Sequence, residues 1–372
     1  MLRLIPSLPA LYVAARVVWP SQWPLAVKLG LTVLLLVASQ YHLWSRLSSG
    51  SVFAPEFPRP VVILFNLAFG ALALAAPILV VLDAAALICW VSPGSGWAIP
   101  MAWRYAAVLA AVMLAAVAVS QAVRVPPLKD VTVAIPNLPL GFDGYTLLHL
   151  SDLHISRLFS TEWAQAVVAR ANDLGSDLIV VTGDFIDGSL AARRAAVEPL
   201  GALTARDGIW AVPGNHEYFF DYDAWMRHLA GLGIRVLANA HMVLRRDGGA
   251  LVVAGVTDRS APATGHPGPD LAAALAAAPA DVPVVLLDHQ PANAARAAAH
   301  GVKLQLSGHT HGGMIRGLDR LVARSNAGFV SGAYRVGGML LYVSNGTALW
   351  PGFALRLGRP SELTRITLRT SS

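Results

Sequence analysis

The sequence predicts an α/β domain preceded by a bundle of about four apolar helices, and three observations carry that reading. Long uncharged apolar runs are confined to the first third of the chain. After about residue 125, short β-rich runs alternate with helical patterns. Nearly every β-rich run there ends on a polar cluster. The 372 residues are 55% hydrophobic and only 13% charged, with a mean hydropathy of +0.54. Soluble domains are about one quarter charged, so this composition argues against a disordered, fibrous or wholly soluble chain. The change of texture divides it into a helical region, 1–124, and a folded domain, 125–372.

In chain order, the apolar stretches are Leu4–Trp19, Pro24–Trp44, Val61–Leu82 and Tyr105–Val123. The last three approach the roughly 20 residues that a bilayer core requires. Leu4–Trp19 is shorter, holds Pro6 and Pro9 and carries Arg16. Basic residues cluster here: 1–124 has seven Lys/Arg against Glu56 and Asp83, whereas 125–372 has 21 against 20. The excess therefore belongs to the edges of membrane spans rather than to a footprint for a phosphate backbone, and no long nucleic acid is expected as a partner. With four spans, Arg3, Arg46, Arg59, Arg124 and Lys129 share one side, and Arg16, Lys28 and Arg104 share the other. That bias predicts a multi-pass protein of the inner (cell) membrane with the C-terminal domain in the cytoplasm. The lone Cys89 excludes an intrachain disulfide.

VPPLKD links the two parts. Beyond it, VTVAI, YTLLHL, DLIVVTGD, GIWAVPGN, ALVVAGVT, VPVVLLDH, VKLQLSGH and MLLYVSNG read as strands. TEWAQAVVARANDLG, YDAWMRHLAGLG and PANAARAAAHG read as helices, and LAAALAAAPA as a short surface helix. Alternation of this kind is the α/β signature, and α/β sheets gather ligands where their strands end.

Five of those ends supply metal-type ligands: Asp152-Leu153-His154, Gly183-Asp184, Gly214-Asn215-His216-Glu217, His289, and Gly308-His309-Thr310-His311. On an extended segment, residues two apart point the same way, so each Asp-x-His or His-x-His pair is expected to reach one ion. Mixed carboxylate, amide and imidazole ligands suit Mn, Fe or Zn. Seven ligands are too many for one ion and enough for two, bridged by a carboxylate. The glycines are expected to permit tight turns and close approach to phosphate.

The ordered series D-x-H, G-D, G-N-H-E, H, G-H-x-H resembles the calcineurin-like metallophosphoesterase superfamily over about Val131–Leu368. IPNLP, GNHEYF, DHQP and LSGHTHGG resemble its bacterial membrane-associated branch, and the N-terminus resembles transmembrane proteins with a metallophosphoesterase domain. Met314 departs from that branch, which usually has Gln there, and leaves every ligand intact. The resemblance implies a four-layer αββα sandwich and two divalent ions. Asp152, His154, Asp184 and His311 would hold the first. Asp184, Asn215, His289 and His309 would hold the second, with Asp184 bridging. His216 would bind the phosphoryl group or protonate the leaving oxygen, oriented by Asp187. An unligated histidine beside two cations also suits a general acid on chemical grounds.

The expected activity is hydrolysis of a phosphodiester or pyrophosphate bond, in a small or lipid-linked phosphoester held at the bilayer. The rivals are a weakly catalytic metal-binding sensor or scaffold, and a nuclease or protein phosphatase. Among neighbouring residues, Glu217 reads as a support for its turn and Asp288 as an orienter of His289. His149 reads as a packed core histidine, and Arg316 and Arg356 as solvated.

Overall fold

The computed structural model describes residues 5–91 and 99–371. Packing divides the chain into two units: Met1–Ala122 with Pro351–Leu357, and Val123–Trp350 with Gly358–Ser372.

The first unit contains α1 (Leu8–Val13), α2 (Leu25–Ser39), α3 (Tyr41–Ser49), α4 (Arg59–Val91) and α5 (Met101–Val123). Among the described residues, two helices are long and apolar enough to cross a membrane, Arg59–Val91 and Met101–Ala122. A third span exists only if α2 and α3, bent by 58°, are counted as one. The expected four spans are therefore not found among the described residues. The first predicted stretch, whose Leu4 lies outside the described residues with Arg3, forms a short apolar helix, Ile5–Val18. At 1.5 Å per residue it reaches roughly 21 Å, short of the roughly 30 Å of hydrocarbon. The second breaks at Gln40, beyond which His42, Ser45, Arg46, Ser48 and Ser49 give α3 a polar side.

Small residues let these helices approach closely, with Ala10, Ala38, Ala75, Ala107 and Ala111 surrounding Leu72 and Leu79. Pro351–Leu357 completes this packing. The Pro351 carbonyl accepts from Tyr41 Oη and Asn66 Nδ2, each at 2.8 Å, and Asn66 Oδ1 accepts from Ala354 N at 2.7 Å. Arg356, expected to be solvated, is fully buried in this unit.

The second unit has two six-stranded sheets. β1 (Leu128–Pro136), β2 (Thr146–Leu150), β3 (Leu178–Thr182), β4 (Ile209–Val212), β5 (Ile234–Val236) and β12 (Leu363–Ser371) form the first, in the order β1-β12-β2-β3-β4-β5. β6 (Ala240–Arg246), β7 (Gly249–Gly255), β8 (Val284–Leu287), β9 (Leu304–Ser307), β10 (Gly332–Val336) and β11 (Met339–Val343) form the second, in the order β10-β11-β9-β8-β7-β6. β2, β3 and β4 run parallel, as do β7, β8, β9 and β11.

Leu147, Leu178, Val180 and Val212 of the first sheet share a core with Val253, Val285, Leu287, Leu304 and Leu306 of the second. Alternation sends Val252, Ala254 and Leu286 to the opposite face. There they meet Leu271 and Ala274 of α10 (Leu271–Leu275) and Ala294 and Ala297 of α11 (Ala294–Ala299). Strands buried on both faces read as continuous apolar runs, which is why their sequences are so uniform. The Ala-rich α10 is thus half core rather than wholly surface. The remaining helices are α6 (Thr161–Asp173), α7 (Leu190–Val197), α8 (Asn215–Phe219), α9 (Tyr222–Gly231) and α12 (Asp319–Ser325).

Candidate metal centre

The five motifs follow the C-terminal ends of five parallel strands: β2, β3 and β4 in one sheet, β8 and β9 in the other. Their loops converge. Asp152, His154 and His311 bring ligand atoms within 4.8 Å of one another, as do His154, Asp184 and His216, and Asp184, His289 and His309. Asp184 Oδ2 is the common centre, 3.3 Å from His289 Nε2, 3.7 Å from His154 Nε2 and 3.9 Å from His216 Nε2. Asn215 Oδ1 lies 3.0 Å from His289 Nε2 and 2.9 Å from His309 Nδ1. His311 Nε2 stands 3.8 Å from Asp152 Oδ1. All seven predicted ligands therefore lie close together; His154 belongs to the first and second of these groups, and Asp184 to the second and third.

The way they converge differs from the expectation. The pairs do not lie on extended strands, where alternation would align them. Asp152, His154, Asp184, His309 and His311 have φ of 54°, 42°, 55°, 67° and 50°. These left-handed conformations, uncommon outside glycine, turn successive side chains inward from loops. Such strain persists only where surrounding structure enforces it. Here the enforcement is visible: Asp152 N donates to Gly183 O, His154 N to Asp184 O and Gly308 N to His289 O, at 2.9–3.0 Å.

Gly183 makes the expected tight turn at φ 86°, and Gly214 and Gly308 add close packing between loops. A Cβ on Gly308 would stand 1.9 Å from Ser151 Oγ, and one on Gly214 would stand 2.2 Å from Asp184 Oδ1. Loop against loop sets these positions, before any substrate arrives.

A calcineurin-like phosphoesterase family profile matches residues 145–313. The chain is 35% identical over 278 residues to a transmembrane protein with metallophosphoesterase domain from Bos taurus, and 33% over 272 residues to that of Danio rerio. Each match covers 71% of this chain and 62% of the relative, so the chain spans less than two thirds of those relatives. It is 30% identical over 243 residues to the uncharacterized metallophosphoesterase YkuE of Bacillus subtilis, covering 63% of this chain and 82% of that one. The chain belongs to the calcineurin-like metallophosphoesterases.

In this metallophosphoesterase the donor set fits cations. His154 Nδ1 is 3.0 Å from Asp187 Oδ2, while its Nε2 is buried with no hydrogen-bond partner among the described residues. His289 Nδ1 donates to the Thr182 carbonyl at 2.6 Å. Each imidazole thereby commits its Nδ1 and aims its Nε2 at Asp184, where that nitrogen can carry a proton or serve as a ligand atom. Burial opposes the charge of Asp184, yet the surrounding imidazoles, His289 foremost, hold its carboxyl well below the usual range. Burial raises the Asp152 carboxyl, and the Asp184 charge adds to that rise.

His216 sits beside this group, its Nδ1 hydrogen-bonded to Asp187 Oδ1. Burial would lower its pKa, but Asp184 and Asp187 outweigh that and raise it to about 9. Asp187 thus holds both His154 and His216, whereas the sequence reading gave it only the latter. Glu217 supports its turn as expected: Oε2 accepts from Gly214 N at 2.7 Å and Asp184 N at 3.0 Å, and Oε1 accepts from Phe185 N at 2.7 Å.

Sequence reasoning missed a relay beneath Asp152. Thr182 Oγ1, 2.8 Å from His149 Nε2, donates to Ser151 Oγ at 2.7 Å, and Ser151 Oγ donates to Asp152 Oδ2 at 2.6 Å. Arg193 was also missed. It is buried and its Nε donates to the Asp187 carbonyl at 2.9 Å. Neither has a spacing signal, since β3 and α7 deliver these residues from other parts of the chain. Met314 adopts φ 59°, just beyond His311-Gly312-Gly313.

Proposed function

We propose that the protein is a membrane-anchored phosphoesterase with two divalent ions, Mn, Fe or Zn. It cleaves phosphodiester or pyrophosphate bonds, with a lipid-linked phosphoester as substrate. The observation that carries this reading is the shared position of Asp184 Oδ2 among three imidazoles, with Asp187 tied to both His154 and His216.

Asp152, His154, Asp184 and His311 would hold one ion, and Asp184, Asn215, His289 and His309 the other. Bound there, two cations supply acidification of water at neutral pH and neutralisation of the phosphoryl oxygens. The protein's own groups do the rest. Asp187 occupies His216 Nδ1, leaving Nε2 to meet the substrate. As water attacks phosphorus and the bond to the leaving oxygen breaks, His216 Nε2 delivers its proton to that oxygen. The products are an alcohol and a phosphomonoester, or two phosphates from a pyrophosphate.

Two features support a membrane-held substrate. α4 and α5 meet the length and hydropathy required for spanning. Only residues 124–127 join α5 to β1, a tether of at most about 14 Å. A cytoplasmic catalytic domain at the inner membrane is supported by Arg46, Arg59, Arg124 and Lys129 toward one pair of ends of α4 and α5, against Arg104, with Arg16 beside it on Asp83, at the other.

Chelation followed by metal analysis tests the core of this reading. The stripped protein is expected to be inactive and to recover with Mn at two ions per chain. Full activity with one ion or none would defeat it.

A further inference from the structure

The helical unit holds a charged cluster within apolar helices. Asp83 of α4 accepts from Arg16 Nη2 and Arg104 Nη2, each at 2.7 Å, and from Tyr12 Oη. Two guanidinium groups against one carboxylate leave one positive charge in excess. Arg104 is 8% exposed, and its Nη1 is buried without a hydrogen-bond partner among the described residues. A buried, unsatisfied guanidinium nitrogen is costly unless something accepts from it. Arg16, by contrast, has a side chain 41% exposed, so the cluster is open on that side.

An apolar groove of about 440 Å³ is lined from the same helices, its nearest residues about one helical turn from the cluster. Its lining includes Val13 and Val108, three and four residues from Arg16 and Arg104, so each lies about one turn along the same helix face. Ala75 lines it too, with buried Leu79 between Ala75 and Asp83 on α4. Trp19, Trp23 and Trp103 are exposed, and Trp23 stacks on Tyr105 at 5.7 Å. Such aromatics mark headgroup depth.

We infer that this cluster and groove form a binding site for one anionic phospholipid. Its phosphate would be held by Arg16 and Arg104, and an acyl chain would lie along the groove between α1, α2, α4 and α5. The charge excess selects a headgroup of net charge −1, and the groove selects a lipid over free phosphate. Arg suits the role because its planar fork matches phosphate oxygens. This inference rests on the helices lying in a bilayer, as proposed above, and is independent of catalysis.

The test titrates the full-length protein in detergent with phosphatidylglycerol, reading bound lipid by native mass spectrometry. Phosphatidylcholine and soluble glycerol phosphate serve as competitors. One phosphatidylglycerol is expected to be retained in preference to both. Arg104→Gln is expected to weaken retention about tenfold or more, and Ala71→Phe, which fills the groove, to weaken it with the cluster intact. Arg104→Lys, keeping the charge, is expected to restore most of the preference, which separates lost charge from misfolding. Equal retention of the two lipids, or unchanged retention in Arg104→Gln, overturns the site. Flotation of the wild-type protein with phosphatidylcholine vesicles separates the two readings. A protein that floats without preferring phosphatidylglycerol defeats only the lipid site, whereas one that does not float defeats the membrane reading and the site with it.

Discussion

Asp184 and His216 lie 3.9 Å apart across one carboxylate oxygen and one ring nitrogen, yet their substitution is expected to have different consequences. Asp184 Oδ2 faces three imidazoles, and Asp184 Oδ1 accepts from His216 N at 2.9 Å. Replacing it with Asn removes charge from the centre of the group. His216 is anchored through Asp187 and sits at the edge. His216→Ala is therefore expected to retain both ions while lowering turnover by about 10²-fold or more, the range for losing a general acid. Asp184→Asn is expected to lower metal content together with rate. Metal analysis beside steady-state kinetics checks both, and loss of metal with retained rate in His216→Ala would reverse the assignment.

At the scale of elements, the site is a set of loops locked to one another at strand ends. Gly308 shows how tightly. Its missing Cβ leaves room for Ser151 Oγ and Asp152 Oδ2, which would stand 1.9 and 2.3 Å away. Gly308→Ala is expected to cost about 1–3 kcal/mol, the usual penalty for overpacking, and to loosen metal binding by displacing Asp152. Gly231, at the end of α9, has nothing within 4 Å of the same position. Its replacement by Ala is expected to be neutral or slightly stabilising, because alanine favours helix. Thermal unfolding of the two variants, compared under saturating metal, checks the contrast.

At the scale of the whole molecule, helical anchoring and hydrolysis are expected to be coupled through the substrate. With only residues 124–127 between α5 and β1, a phosphoester in the bilayer meets the enzyme at high local concentration, whereas a soluble ester gains nothing from the tether. The protein in vesicles is expected to turn over a bilayer-embedded phosphodiester much faster than in dilute detergent, and to cleave a soluble aryl phosphodiester equally in both. Equal rates on the embedded ester would reduce the helices to a localisation device. The charge bias around α4 and α5 also predicts that a reporter fused after the C-terminus reads as cytoplasmic, and a periplasmic readout would reverse that orientation.

The α/β class, the two apolar helices α4 and α5, and the seven ligand-type residues were legible in the sequence. Each depends on a local pattern: a continuous apolar run, or a polar cluster closing a buried strand. β5, β6, β10 and β12 escaped notice because β5 has only three residues and the others carry charged residues such as Arg245, Arg335 and Arg365, so no long continuous apolar run announces them. The break between α2 and α3, and the shortness of Ile5–Val18, depend on where helix geometry fails rather than on mean hydropathy. Tertiary structure alone decided that Asp187 serves two histidines, that Arg193 backs it, and that Pro351–Leu357 belongs with the helices. These are meetings of segments distant along the chain. The inward turn of the ligands was likewise invisible, because left-handed φ at Asp152 or His309 is imposed by hydrogen bonds from neighbouring loops and not by the residue's own preference.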